Sequence, residues 1–221
     1  MPDYESEYRA HANFFGVDPE PLLVLRAHLI PGGGRVLDIG VGQGRNALPL
    51  ARQGLRVTGL DLSESAVEMT RQRARDAGLD LDLWCGDVHD YAPREPFDAV
   101  LVLGLLMTLE PSETRRLLVR IASWSRPDAL LFVTAWHTGD PRFAAMAESA
   151  TSVVPGCFRL PGGELRTFLR PDEILDLVSG WEVAHHWEGL GPWHQHGTGP
   201  RERHGEVHLV ARRAPKAPPV P

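Results

Sequence analysis

The sequence predicts a single α/β domain, a doubly wound sheet of seven strands that ends in an antiparallel hairpin. The chain has 221 residues, of which 43% are hydrophobic, enough for one domain with a full core. Short apolar runs alternate with helical patterns over most of the chain, which indicates a parallel sheet with helices on both faces. The last two runs, Trp181 to Trp187 and Val207 to Arg212, have no helical pattern between them and therefore predict the hairpin.

Composition excludes several classes of protein. The chain carries 23 Lys and Arg against 29 Asp and Glu, a net charge of −6, which argues against binding nucleic acid through a broad basic surface. No stretch approaches the roughly 20 apolar residues of a membrane span, and the acidic start is unlike a secretory signal. We therefore expect a cytoplasmic protein with no membrane partner; its oligomeric state cannot be predicted. Cys85 and Cys157 have neither metal-binding nor redox spacing.

The first strand leads into a glycine-rich turn. Val36 to Ile39 is a short apolar run, Gly40, Gly42 and Gly44 follow at alternate positions, and a helical pattern then continues to a glycine. In such a turn a ligand can lie against bare backbone and the positive end of a helix. A dinucleotide fingerprint would require a small residue where this chain has Arg45, so that interpretation fails.

Acidic residues follow the next two strands. Asp61 closes the predicted strand Arg56 to Leu60, about twenty residues past the glycines, where a carboxylate can accept hydrogen bonds from ribose hydroxyls. The alternative is a turn or near-cap residue before the next helix. The predicted strand Leu81 to Cys85 is followed by Asp87 and Val88.

These positions resemble the first motifs of the class I S-adenosylmethionine (SAM)-dependent methyltransferases, which have an acidic residue, here Asp38, two positions before Gly-x-Gly-x-Gly. The resemblance implies a Rossmann-like class I methyltransferase fold, SAM as cofactor and S-adenosylhomocysteine as product. It places Asp87 on the adenine amino group and Val88 beside the ring. The cofactor-binding residues predicted in this way are Asp38, Gly40, Gly42, Gly44, Arg45, Asn46, Asp61, Leu62, Asp87, Val88 and Leu103.

The N-terminal segment, residues 1–30, is predicted to be helical. Tyr4, Tyr8, Phe14 and Phe15 fall at intervals that give a short helix an aromatic face, whose simplest role is packing on the domain. In many methyltransferases of this size such a segment folds over cofactor and substrate, which makes Tyr4 and Tyr8 candidate substrate contacts. Residues 31–213 are the expected methyltransferase domain, and residues 214–221 an expected disordered, proline-rich tail.

The later strands bring further candidates to the same edge. Phe97 to Leu103 is the fourth strand and Ala129 to Trp136 the fifth, with His137 directly after it. Leu109, beyond the fourth strand, is either substrate wall or core. The segments Cys157 to Leu160 and Glu164 to Phe168 predict an inserted hairpin before a helix from Pro171 to Val178.

The loop between the last two strands, residues 188–206, is rich in histidine and arginine and should overhang the ligand edge. His194 and His196 could begin a metal site, but no local carboxylate or cysteine pattern completes it, so no metal is expected. The other interpretations are a solvated loop, or substrate recognition and proton transfer, since imidazole can act as a base near neutral pH. The candidate catalytic residues are His194, His196 and His137, and the candidate substrate-binding residues are Tyr4, Tyr8, Arg166, Trp193, Arg201 and Arg203.

A narrower resemblance extends over nearly the whole chain. Gly-Arg-Asn at residues 44–46, Gly-Glu-Leu-Arg at 163–166, Gly-Trp-Glu at 180–182 and Leu-Gly-Pro-Trp-His at 190–194 are similar to the tellurite-resistance (TehB-type) methyltransferase family. The resemblance implies methylation of small, soft or anionic acceptors, with His194 as the reactive histidine. This chain has Gln195 where the family has arginine, and Val41 where cysteine is usual.

The missing arginine makes a doubly charged acceptor less suitable. We therefore predict transfer of a methyl group from SAM to a small-molecule thiol, amine, hydroxyl or other specialised metabolite by in-line displacement. Methylation of a metalloid oxyanion such as tellurite or selenite is the alternative, and a SAM-binding module without catalysis is a further one.

Overall fold

A computed structural model describes residues 4–195 and 201–215 of the chain. The helices are α1 (Tyr4–Ala10), α2 (Pro21–Arg26), α3 (Ala47–Arg52), α4 (Glu64–Asp76), α5 (Pro111–Trp124), α6 (Phe143–Ser149) and α7 (Glu173–Leu177), with 3-10 turns at Ala27–Leu29 and Leu106–Thr108. The strands are β1 (Arg35–Ile39), β2 (Arg56–Asp61), β3 (Asp82–Cys85), β4 (Phe97–Leu103), β5 (Ser125–His137), β6 (Thr151–Val154), β7 (Cys157–Arg159), β8 (Leu165–Leu169), β9 (Trp181–Leu190), β10 (His194–Gln195), β11 (Arg201–Glu202) and β12 (Gly205–Arg213).

The main sheet has the predicted architecture. Strands β3, β2, β1, β4 and β5 are parallel neighbours in that order. β12 pairs antiparallel with β5, and β9 pairs antiparallel with β12, which confirms the C-terminal hairpin. All five parallel strands therefore end at one edge of the sheet, where open α/β folds bind their ligands.

Hydrophobic cores on the two faces hold this sheet in place. On one face Leu117 and Ile121 of α5 pack with side chains of the central strands. On the other face Leu23 of α2 and Leu50 of α3 pack against the remaining strand side chains, Phe132 of β5 among them. Because β4 is almost entirely buried, its apolar sequence is that of a central strand covered on both faces.

The inserted segment is larger than the sequence predicts. The hairpin of β7 and β8 is confirmed, but β6 adds a third antiparallel strand, and the end of β8 also pairs in parallel with the end of β5. Helix α6 was not predicted because it buries none of its residues and so has no apolar stripe. The three-stranded ribbon of β6, β7 and β8 therefore lies beside the C-terminal end of β5.

The predicted loop 188–206 is partly strand. β9 continues to Leu190 and β12 begins at Gly205, and these two residues pair with each other. Between them, β10 and β11 form a small antiparallel ladder in which His194 faces Glu202. No helix in the described part of the chain has both the length and the apolar character needed to cross a bilayer.

Candidate active site

A cavity of about 700 Å³ opens at the C-terminal edge of the parallel strands. Its wall is formed by the glycine turn after β1, by the residues that follow β2, β3 and β4, and by α1 with the chain just after it. A cavity of this size suits a nucleoside-sized ligand with a small second molecule beside it.

The glycine turn is held rigidly against β2. The backbone N–H groups of Gly40 and Val41 both donate to the carbonyl of Leu60, at 2.8 and 2.9 Å. The Asp61 carboxylate accepts from the N–H of Gly42 at 2.8 Å and from that of Ser63 at 2.9 Å. A carboxylate has about four acceptor positions, so Asp61 can still receive hydroxyl groups from a ligand.

One buried carboxylate, Asp38, and one half-buried carboxylate, Asp61, lie under and beside this turn. Asp38 is 1% exposed, and its Oδ2 has no hydrogen-bond partner among the described residues. Burial raises the pKa of Asp38 to about 7, against the opposing effect of the Arg45 guanidinium. Burial also raises the pKa of Asp61, although the backbone N–H groups of Ser63 and Gly42 partly offset that rise. The site therefore favours ligands that are cationic or that donate hydrogen bonds.

Residues of the turn also hold the N-terminal segment. Arg45 donates to the carbonyl of Phe15 at 2.9 Å and to Glu20 at 2.7 Å, and Asn46 accepts from the N–H of Glu20 at 2.9 Å. The side-chain amide of Gln43 accepts from the N–H of Phe14 at 2.9 Å. The chain after α1 is therefore attached directly to the glycine turn.

Helix α1 is fixed to the N-terminus of α4. Glu5 accepts hydrogen bonds from the Ser65 hydroxyl at 2.6 Å and from the Ser63 hydroxyl at 2.5 Å. These bonds lower the pKa of Glu5 to about 2. Tyr8 is buried, and a Cβ on Gly42 would lie 3.1 Å from its hydroxyl oxygen, so glycine at this position lets Tyr8 close onto the turn.

The far end of the cavity is formed by residues that follow β3 and β4. Asp87, Val88 and His89 line it on one side, and Leu105 and Leu109 line it on the other. The exposed Asp87 carboxylate accepts from the N–H of His89 at 2.8 Å, which orients it.

A family model described as a methyltransferase domain matches residues 36–128, the part of the chain that contains the glycine turn and these acids. The chain therefore contains a methyltransferase domain, and its fold is that of the class I SAM-dependent methyltransferases. The chain is 34% identical over 149 residues to a ubiquinone biosynthesis O-methyltransferase of Bradyrhizobium diazoefficiens. The matched residues are 66% of this chain and 57% of that protein. A protein of the same name from Xanthomonas axonopodis pv. citri is 30% identical, over 72% of this chain and 66% of that one. The chain thus spans less than two thirds of the length of either relative.

Solved structures share the architecture of this chain. TehB from Haemophilus influenzae superposes with a TM-score of 0.68 at 19% identity, over 96% of this chain and 66% of that chain. A structure solved for the conversion of a disulfide bond into a thioacetal group during echinomycin biosynthesis has a TM-score of 0.72 at 27% identity, over 97% and 92% of the two chains. At 19% identity, the similarity to TehB shows that the two proteins share a fold.

The SAM-binding residues predicted from the sequence form one wall of the cavity, except for two. The lining residues among them are Gly40, Gly42, Arg45, Asn46, Asp61, Leu62, Asp87, Val88 and Leu103. Asp38 and Gly44 lie behind the turn. Gly44 has a φ of +82°, and a Cβ there would lie 3.0 Å from Thr70 Cγ2, so close packing on α4 is sufficient reason for this glycine. SAM fits this wall because the bare backbone of the glycine turn and two strand-terminal acids, Asp61 and Asp87, converge on it.

Most of the predicted catalytic and acceptor-binding residues lie elsewhere. Tyr4 and Tyr8 line the cavity, while His194, His137, Arg166, Trp193, Arg201 and Arg203 do not. His137 lies with its Nε2 3.2 Å from the carbonyl oxygen of Gly189 on β9. His196 lies outside the described residues. The catalytic assignment of all three histidines stays a prediction.

The predicted acceptor-binding arginines and Trp193 make other contacts. Arg166 pairs with Glu164 at 3.1 Å, and its charge offsets part of the rise in pKa that burial causes at Tyr4. Trp193 is 57% exposed and lies under the Arg203 guanidinium, 5.3 Å from ring centroid to charge. Arg201 is exposed in β11, opposite Gln195.

The structure adds lining residues that the sequence does not reveal. Glu5, Phe15, Gln43 and Ser63 all line the cavity. Gln43 lies inside the glycine turn, Ser63 directly follows Leu62, and Phe15 belongs to the aromatic face of the N-terminal segment, so these three carried a local signal. Glu5 reaches the cavity through contacts between distant parts of the chain.

Proposed function

We propose that this methyltransferase moves the methyl group of SAM to a small organic acceptor. The observation that carries the proposal is the composition of the cavity beyond the SAM-binding wall. Aromatic and aliphatic side chains of Tyr4, Tyr8, Phe15, Leu105 and Leu109 form that part of the wall. Such a surface binds an acceptor through its apolar body and leaves a heteroatom to face the methyl group.

The charges in the cavity disfavour a doubly charged metalloid oxyanion. Among the described residues, Arg45 and Arg116 are the arginines that line the cavity. Arg45 pairs with Glu20 at 2.7 Å, and Arg116 pairs with Glu113. An oxyanion would have to compete with these carboxylates for the guanidinium groups, whereas a neutral hydroxyl, thiol or amine would not. The O-methyltransferase relatives favour a hydroxyl acceptor.

SAM supplies an activated methyl group on a sulfonium. The protein positions the reactants and provides a suitable electrostatic field. We assign Asp61 to the ribose hydroxyls, Asp87 to the adenine amino group and the backbone of Gly40 to Gly42 to close contact with the cofactor. The acidic character of this wall matches the positive charge of the sulfonium. Transfer by in-line displacement then requires mainly alignment of the acceptor and exclusion of water.

The N-terminal segment provides that exclusion in our proposal. Residues 4–16 are tied to the glycine turn and to α4 by hydrogen bonds from both ends of the segment. Because Tyr4, Tyr8 and Phe15 belong to it, the same segment covers the cofactor and forms part of the acceptor wall. We therefore assign residues 1–30 as a cap, with the methyltransferase domain proper in residues 31–213.

The test is a turnover assay over acceptor classes. The purified chain is incubated with SAM and with separate panels of phenols, thiols, amines, and tellurite or selenite, and S-adenosylhomocysteine is quantified by mass spectrometry. We expect product with organic acceptors, hydroxyl compounds foremost. Product with the oxyanions alone would support the metalloid alternative, and binding of SAM without product from any panel would support a module without catalysis. Tyr4→Ala should raise KM for the acceptor more than that for SAM, while Val119→Ala, an exposed position on α5, should change neither.

A further inference from the structure

A cluster of two histidines and a glutamate lies outside the cavity, on the ladder between β9 and β12. His194 in β10, Glu202 in β11 and His204 just after β11 each offer one ligand atom, and these atoms lie within 4.8 Å of one another. The imidazole rings of His194 and His204 meet edge to face, with their centroids 4.7 Å apart. His204 Nε2 lies 3.8 Å from a carboxylate oxygen of Glu202.

Both histidines have an oxygen beside their Nδ1 atom. His194 Nδ1 lies 3.1 Å from the carbonyl oxygen of Pro192, and His204 Nδ1 lies 3.3 Å from Asp140 Oδ2. At His194 this acceptor favours the tautomer with hydrogen on Nδ1, which leaves the lone pair on Nε2. At His204 the Asp140 carboxylate lies at ion-pair distance behind the ring. This is the arrangement that metal-binding histidines use, with a carboxylate or carbonyl behind the ligand.

The surroundings hold the cluster in place. Asp140 is buried and accepts from Arg142 at 3.0 Å and from the N–H of Gly205 at 3.1 Å. The Arg142 guanidinium lies over Trp136, 4.2 Å from the ring centroid, and 3.6 Å from Glu202. With neutral histidines, the two carboxylates and the one guanidinium leave a net charge of about −1, which favours a cation.

We propose that His194, Glu202 and His204 form a binding site for a divalent transition-metal ion of the Zn²⁺ class. Two imidazole nitrogens and one carboxylate are a ligand set of open metal sites, in which water or another ligand completes the coordination. Bonds of about 2.0–2.2 Å would require the three atoms to come to roughly 3.5 Å of one another, which rotations in the short ladder can provide. The ion would join the β10–β11 ladder to the segment after β5 through His204 and Asp140.

The experiment uses the full chain without a histidine tag. After treatment with EDTA, the protein is titrated with ZnCl₂ by calorimetry, and bound zinc is counted by elemental analysis after gel filtration. We expect about one Zn²⁺ per chain, and at least a tenfold loss of affinity in Glu202→Gln and in His194→Gln. Because neither substitution touches the cavity, both variants should keep the wild-type affinity for S-adenosylhomocysteine, which shows that they are folded.

The matched control is Glu188→Gln. Glu188 belongs to a second group of possible ligands, with Asp172 and His186 on the outer strand, and Asp172 is exposed. Zinc binding by this variant should equal that of the wild type. The proposal is overturned if the wild type binds no zinc, if Glu202→Gln and His194→Gln retain wild-type affinity, or if Glu188→Gln is the variant that loses the ion.

Discussion

The attachment of α1 to α4 through Glu5 can be tested with one substitution, Glu5→Gln. The carboxylate accepts from both hydroxyls, Ser63 and Ser65, and also from the N–H of Ser65 at 3.2 Å. Hydrogen bonds to a charged group contribute about 1.5–3 kcal/mol each. The Glu5 side chain is 30% exposed, and glutamine keeps one acceptor oxygen, so we expect a loss of only about 1–2 kcal/mol in the docking of α1. That loss corresponds to a factor of roughly 5–30 in the undocked population.

The assay is amide hydrogen exchange of residues 4–16, together with the affinity for S-adenosylhomocysteine. Exchange in this segment should accelerate by that factor in Glu5→Gln, and the ligand should bind more weakly. Glu7→Gln is the control, because Glu7 lies on the same helix and its side chain is 46% exposed, with His11 3.7 Å away. Equal exchange in wild type and both variants would refute the idea that Glu5 holds the segment.

Acid should reproduce the effect of this substitution. The pKa of Glu5 is lowered to about 2 in the folded protein, so its contribution is complete above its ordinary pKa near 4.5 and is lost as the pH falls toward 2. In the wild-type protein, α1 should therefore loosen at pH values below 4.5.

Three further predictions follow from the turn and the late histidine. Gly44→Ala should lower the free energy of unfolding by about 1–3 kcal/mol, because φ is +82° and Thr70 Cγ2 lies 3.0 Å from the new Cβ. The measurement is unfolding in urea. The control, Gly104→Ala, has a φ of +76° with no atom within 4 Å of the new Cβ, and should lower the free energy of unfolding by less. The pKa of Asp38 is raised from 3.8 to about 7, so melting temperatures without ligand should fall as the pH rises from about 4 to 7. Asp38→Asn should remove that component, and an unchanged slope would contradict it. His194→Ala should leave the affinity for S-adenosylhomocysteine unchanged, because His194 does not line the cavity, and a large loss by calorimetry would place it in the cofactor site.

The sequence was sufficient for the main sheet because its signals are local. The apolar run of β4 has the predicted bounds, Phe97 to Leu103. Ser63 caps α4 locally, accepting from the N–H of Ala66 at 3.1 Å. The glycine turn was recognisable because positive φ angles at Gly40 and Gly42 require glycine at those positions. Asp61 and Asp87 reach the cavity because residues that end parallel strands share one edge.

What the sequence did not reveal depends on contacts between distant residues. Nothing near Glu5 indicates that it pairs with Ser63 and Ser65, about sixty residues away. The late histidines show the same limitation. His194 alone indicates no metal, whereas the β10–β11 ladder places Glu202 directly opposite it. Periodicity predicts elements and faces, but it does not predict which side chains meet across them.

The central claim is that Asp61 holds the ribose of SAM at the end of β2. The most direct measurement is calorimetry of S-adenosylhomocysteine with wild type, Asp61→Ala and a matched control, Asp98→Ala. Asp98 also accepts a backbone hydrogen bond, from Arg35 at 2.8 Å, but lies at the start of β4, away from the cavity. Loss of two hydrogen bonds to a carboxylate should weaken binding by at least roughly 100-fold in Asp61→Ala, with wild-type affinity in Asp98→Ala. Equal affinity for wild type and Asp61→Ala would contradict the account.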